Sequence, residues 1–301
     1  MLVKKRTKSK ELFILELLNK RMNLERKEKQ RYFNLKKGFE GEMRFDDFIE
    51  KLQCECLILH DLLLEVNHTM FQIDSLLIMQ KQLYIYEIKN YHGDYYFDKD
   101  KFCNTSNVEL TNPIHQLNRS VTLLSQLMHS LGAKLSIDSA VVFINPQFTL
   151  YQAPMDKPII FSSQLKRHME KCHATPSRLS DQHRKLAEQL LARHIAEPPF
   201  KNLPAYDYEQ LQKGITCMKC HTFSIEIENR SVICQGCGFQ ESVKDAIIRA
   251  AEEFKMLFPE DKMTANIIHD WCQVDRTKAT IKNILSQQYT KKGNRRWAYY
   301  V

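Results

Sequence analysis

The chain has 301 residues, enough for about two domains, and its 43% hydrophobic content is that of a globular protein with real cores. Nothing approaches a run of about 18 apolar residues, and the early LFILELL carries Glu16 with no small-residue cleavage site after it, so neither a membrane span nor a signal peptide is expected. The net charge of +8 is concentrated at the front. Residues 1–37 hold 13 Lys/Arg against 4 Glu, the composition of a basic helical arm suited to a polyanion such as nucleic acid, or equally of a solvated helix face.

Gly38 and Gly41 punctuate the end of this arm. From Glu42 to Leu52 the spacing of Met43, Phe45, Phe48, Ile49 and Leu52 predicts one amphipathic helix. CECLILHDLLLE reads as a strand, and FQIDSLLIMQKQLYIYEIKN, residues 71–90, as two more. Asn112-Pro113 opens a helix over IHQLNRSVTLLSQLMHSLG that stops at Gly132, and SIDSAVVFINP is a strand with a proline stop. This order predicts a mixed α/β domain over residues 38–162. Residues 163–211 form a polar helical segment and contain PPFKNLP, the clearest linker in the chain.

Asp74, Glu87 and Lys89 are charges set into otherwise apolar strands. A buried charge has to be paired or bound to a metal, because leaving water costs several kcal/mol. If the strands turn at Gln80-Lys81, Asp74 opposes Glu87 with Cβ atoms roughly 5 Å apart, and Lys89 shares their face. Carboxylates so placed repel unless a proton or cation lies between them. Oxygen ligands that leave room for water and phosphate suit Mg²⁺ or Mn²⁺, ions that polarise a phosphoryl oxygen. A neighbouring lysine would orient or help deprotonate the attacking water and offset transition-state charge. Taken alone, the same three charges also describe a salt bridge.

Residues 38 to about 145 resemble the nuclease-related domain (NERD) family, a branch of the PD-(D/E)XK phosphodiesterase superfamily. The resemblance rests on GFEGE (Gly38, Gly41, Glu42), QIDSLLI (Asp74), YEIKNYHG (Glu87, Lys89, Gly93), TNPIHQLNR (Asn112, Pro113, Gln116) and the strand AVVFIN, in the family's order. It implies a restriction-endonuclease-like mixed sheet flanked by helices, with Asp74 and Glu87 as ligands of a catalytic Mg²⁺ or Mn²⁺ and Lys89 as the catalytic lysine. Glu42 would contact the metal directly or through water, and Gln116 would orient the site or touch the phosphate backbone. Position 73 is Ile where the superfamily name has Pro. His92 reads as a loop histidine, and Tyr84, Tyr86, Tyr91, Tyr95 and Tyr96 as packing residues rather than base-stacking ones.

Cys217-x-x-Cys220 and Cys234-x-x-Cys237 are separated by 13 residues, with SIEIE and SVIC as strands between them. This resembles a zinc ribbon, residues 212–241, whose four thiolates hold a structural Zn²⁺ with no open position. The chain has nine cysteines, and Cys54, Cys56, Cys103, Cys172 and Cys272 lack a matching spacing, which favours a reducing cytoplasm over disulfides. Residues 242–301 read as a helix ended by Pro259, a short helix capped by Thr264, a helix with Ile281, Ile284 and Leu285 inward, and an ending that turns at Gly293-Asn294. They resemble a winged helix-turn-helix-like module. Arg276, Thr277, Lys278 and Lys282 on its second helix, with Lys291, Lys292, Arg295 and Arg296 on the wing, would contact DNA. The expectation is a metal-dependent nuclease of nucleic acid, DNA first. The alternative is a non-catalytic DNA-binding or regulatory protein with an inactive nuclease-like core.

Overall fold

The structure is a computed structural model that describes residues 1–196, 203–294 and 297–301. In chain order, β1 (Leu2–Lys4), α1 (Lys10–Arg21) and α2 (Arg26–Ile49) come first. Then follow β2 (Leu57–Val66), β3 (Thr69–Ile78), β4 (Gln82–Lys89), β5 (Gly93–Asp98), β6 (Lys101–Asn104) and β7 (Glu109–Leu110). Next are α3 (Pro113–Ser130), β8 (Ser136–Phe143), β9 (Phe148–Tyr151), β10 (Ile159–Phe161), α4 (Ser162–Ala174) and α5 (Asp181–Ala192). The remainder holds β11 (Ile225–Glu228), β12 (Ser231–Cys234), β13 (Gln240–Ser242), α6 (Val243–Leu257), α7 (Ala265–Cys272), α8 (Lys278–Gln288), β14 (Lys291–Lys292) and β15 (Tyr299–Tyr300). The chain forms two compact units, one of Met1–Lys8 with Phe33–Pro199 and one of Ser9–Tyr32 with Phe200–Val301. The linker PPFKNLP lies largely outside the described residues.

The first unit is built on a mixed six-stranded sheet in the order β1-β2-β3-β4-β8-β10. β2–β3 and β3–β4 pair antiparallel, while β1 joins β2, β8 joins β4 and β10 joins β8 in parallel. Strand alternation assigns the faces. Leu83, Ile85, Val141 and Phe143 pack with Leu117 and Leu124 of α3 and Leu186 and Leu190 of α5. Tyr84, Tyr86, Ala140 and Val142 pack with Phe45 and Ile49 of α2 and Leu165 and Met169 of α4. Both sheet faces are therefore covered, which explains why these strands read as nearly continuous apolar runs. A smaller sheet has the order β7-β6-β5-β9.

The β3–β4 turn falls at residues 79–81, and the ladder from Ser75↔Tyr86 to Ile78↔Leu83 has the register that would oppose Asp74 to Glu87 one step further on. The β2–β3 ladder contains an irregularity beside that point. The α3-facing positions are Leu57 and Leu59, then Leu62 and Leu64, in β2; in β3 they are Phe71 and Ile73, then Leu76 and Ile78. The alternation thus changes parity between His60↔Ser75 and Leu62↔Ile73, where Asp61 would oppose Asp74, and Asp61 has a left-handed φ of 52°.

Two expected elements differ. Residues 1–37, expected as one basic arm, take part in both units: β1 pairs in parallel with β2, and α1 buries Ile14, Leu17 and Leu18 in the core of the second unit. Gly38 and Gly41 do not end a helix, because α2 runs through both. Gly41 is in the helix interior for a packing reason: a Cβ there would lie 2.4 Å from Asn90 Cβ.

In the second unit α1, α6, α7 and α8 enclose a core that includes Leu18, Ile247, Phe254, Ile268, Trp271, Ile281 and Leu285. Thr264 caps α7 and Thr277 caps α8, each hydroxyl accepting a backbone amide at 3.2 Å. β14 and β15 pair antiparallel, with Gly293 at φ 73° in the turn. β11, β12 and β13 form an antiparallel sheet whose first hairpin turns at Asn229, φ 53°.

Candidate active site

Asp74 lies where the β3–β4 backbone ladder has ended, and its Oδ2 accepts the Ile88 amide at 2.8 Å. Asp74 is 8% and Glu87 3% exposed. Lys89 Nζ donates to Glu87 Oε1 at 2.6 Å and to Gln116 Oε1 at 3.0 Å. Gln116 arrives there because Asn112 caps α3, accepting the Ile114 amide at 2.9 Å, with Pro113 in the first turn. Glu42 comes from α2 with 22% of its side chain exposed.

The electrostatics are those of crowded acids. Burial, then repulsion from Asp74, pushes Glu87 up to about 8 and Glu42 up to about 7. Asp74 is also raised, chiefly by burial. Burial works against the Lys89 ammonium, but Glu87 and Asp74 more than offset it, and its pKa stands above the ordinary value. Three carboxyls raised chiefly by desolvation, Glu42 and Glu87 also by Asp74, have the oxygen-donor chemistry that a hard divalent cation takes, since the ion supplies the missing positive charge. Asp74 and Glu87 could hold such an ion, with Glu42 within electrostatic reach of Asp74.

Sequence reasoning missed the residues behind these acids. Arg6 donates to Glu42 and Asp46, and His60 and Ser75 adjoin it. Asp46 had a usable signal, as it lies four residues after Glu42 on one helix face. Arg6 had none, because its partners are far away in the chain. Asn90 donates to the Lys37 carbonyl at 2.7 Å and packs against Gly41. His92 is exposed in the loop after β4. Tyr84 and Tyr86 are buried toward α4, with Tyr86 Oη 2.9 Å from His168 Nε2. Tyr91 stacks on Tyr95 at 5.1 Å, Tyr95 stacks on Phe102 at 5.3 Å, and Tyr96 donates to Asn107.

In the second unit the Sγ atoms of Cys217 and Cys237 are 3.6 Å apart and those of Cys220 and Cys234 3.4 Å, with all four within 4.8 Å of one another. A disulfide needs about 2.05 Å, whereas a tetrahedral ion at Zn–S distances of about 2.3 Å spaces its sulfurs by about 3.8 Å. The cluster is compatible with a zinc ribbon. Lys278, Lys282, Lys291 and Lys292 are exposed. The Thr277 hydroxyl caps α8, and the half-buried Arg276 donates to the Asn229 carbonyl. Arg295 and Arg296 lie outside the described residues.

Among the described residues no helix is long and apolar enough to cross a membrane. Comparison with curated proteins and with solved structures yields no significant match. The family model of the nuclease-related domain matches residues 37–144, the stretch that holds Glu42, Asp74, Glu87, Lys89 and Gln116.

Proposed function

We propose that the first unit is a metal-dependent nuclease that hydrolyses phosphodiester bonds, those of DNA in the first place, and that the second unit carries a zinc ribbon and a winged helix-turn-helix that bind DNA. The observation that carries the reading is Lys89 held between Glu87 and Gln116, with Asp74 within electrostatic reach, inside the stretch that the nuclease-related family model matches. Asp74 and Glu87 would hold Mg²⁺ or Mn²⁺, with Glu42 touching it directly or through water. When bound, such an ion polarises a phosphoryl oxygen and acidifies a water.

Lys89 acts as a cation. Held by Glu87 and Gln116, it would orient the attacking water and offset charge on the reacting phosphoryl group. Glu87 and Gln116 occupy two of the three N–H donors of its ammonium, leaving the third for a phosphate oxygen. In the second unit, exposed Lys278 and Lys282 on α8 and Lys291 and Lys292 on the terminal hairpin support a phosphate-contacting surface.

The test is incubation of purified protein with single- and double-stranded DNA and with RNA, in Mg²⁺ or Mn²⁺. Lys89→Ala and Asp74→Ala should each lower cleavage by about 10²–10³-fold. Cleavage that survives both substitutions, or no cleavage by the unmodified chain under any condition, overturns the enzyme reading. DNA binding without cleavage would put the non-catalytic alternative in its place.

A further inference from the structure

Behind the candidate acids lies a buried hydrogen-bonded network that the proposed chemistry does not use. At its centre is Arg6, whose side chain is 1% exposed. Its Nη1 donates to Glu42 Oε2 at 2.7 Å, and its Nη2 donates to the backbone carbonyl of Asp74 at 2.7 Å. Asp46 fixes the guanidinium through two bonds, from Nε at 2.8 Å and from Nη2 at 3.1 Å, and Ser75 Oγ adds a contact at 3.2 Å. His60 Nδ1 lies 2.9 Å from Ser75 Oγ and 3.1 Å from Asp46 Oδ1. Two residues before Arg6, Lys4 Nζ donates to the carbonyls of His60 and Asp61, at 2.9 and 2.8 Å.

Asp46, Glu50 and His60 lie close enough together to suggest a metal site of their own. The bonding argues against it. Both Asp46 oxygens are taken by Arg6, and His60 presents one ring nitrogen to Asp46 and the other to Glu50, at 3.1 and 3.4 Å. One ion cannot be bound by both nitrogens of one imidazole, so the cluster is scaffolding around the guanidinium.

We propose that Arg6 is a positioning residue of the metal site. Its fork holds the Glu42 carboxylate from α2 and the Asp74 backbone from β3 in one frame, and Asp46 and Ser75 hold the fork. Arg6 belongs to the same compact unit as these partners. A planar guanidinium can span several acceptors at fixed angles, which a lysine ammonium in its place cannot do. The role rests on the metal-dependent reading above.

The experiment is a Mn²⁺ titration of zinc-loaded protein, followed by the electron paramagnetic resonance signal of free Mn²⁺, for the unmodified chain, Arg6→Lys, Arg6→Gln and Asp74→Ala. Circular dichroism establishes which variants fold. If Arg6 positions the acids, both Arg6 variants bind Mn²⁺ about 10-fold more weakly, the scale of lost outer-shell support. A purely electrostatic role has another signature: Arg6→Lys leaves affinity unchanged, and Arg6→Gln tightens it by removing a positive charge beside the acids. Either of those results overturns the proposal. Should Arg6→Gln fail to fold, the charge-preserving Arg6→Lys decides alone. If the unmodified chain and Asp74→Ala bind Mn²⁺ alike, the metal-site reading itself fails and the role of Arg6 with it, a result distinct from a working site that ignores Arg6.

Discussion

Lys89 and Glu87, two residues apart on β4, meet at 2.6 Å, yet burial and Asp74 outweigh that single cation and push the Glu87 carboxyl up to about 8. The ordinary value is 4.5. A carboxyl with a raised folded pKa favours folding in its protonated form. Its contribution is fully present below about 4.5 and is lost as pH rises through about 7 for Glu42 and about 8 for Glu87. Zinc-loaded protein freed of other divalent ions should therefore melt at lower temperature as pH rises from about 5 to about 8.5, and Mg²⁺ or Mn²⁺ should restore stability most at the alkaline end. Glu87→Gln should flatten the profile. Melting curves over this range check the prediction, and a melting temperature that rises with pH contradicts it.

The two glycines of α2 should respond in opposite ways. Alanine at Gly38 meets open space and should stabilise the helix by up to about 1 kcal/mol. Alanine at Gly41 collides with Asn90 and should cost about 1–3 kcal/mol. Urea unfolding of the two variants gives the signs directly.

Freshly purified protein should contain about one zinc per chain. Serine at Cys217, Cys220, Cys234 or Cys237 should abolish it, and Cys272→Ser, a buried thiol outside the cluster, should retain it. Elemental analysis measures the metal. Limited proteolysis should then cut within residues 217–237 in the zinc-free variants, since so small a module depends on its ion to fold.

Alanine at Lys278, Lys282, Lys291 and Lys292 should weaken DNA binding with little change in stability, as all four are exposed. Each lost phosphate contact should reduce the slope of log affinity against log salt by about 0.9. An unchanged slope in the fourfold variant would remove this face from DNA binding.

Local patterns were legible wherever the determining residues are close in sequence. The Gln80-Lys81 turn, the β3–β4 register, the Asn112 cap and the ribbon hairpin all follow from contacts a few residues long. Glu42, Asp74, Glu87, Lys89 and Gln116 stood out as polar residues in apolar elements or in the family pattern; Lys89 meets Glu87 and Gln116, and Asp74 acts electrostatically on Glu42 and Glu87. What stayed hidden is long-range. Gly41 looked like the end of the basic arm because the reason for it, Asn90, lies outside that helix. Arg6 looked like one more charge in a basic stretch, since its acceptors are 36 to 69 residues away.

The parity change at Asp61 and Asp74 has a consequence for how the hairpin carries its load. Remove both residues, and His60↔Ser75 would be followed directly by Leu62↔Ile73, with the apolar faces of both strands in phase from end to end. As architecture, the hairpin would be more regular without them. The two aspartates are a matched insertion that the sheet tolerates, and Lys4 and Arg6 clasp it from β1 and the segment after it. A chain shortened at both positions is expected to keep its fold and lose the proposed metal site, which would make this pair the place where stability and chemistry pull apart.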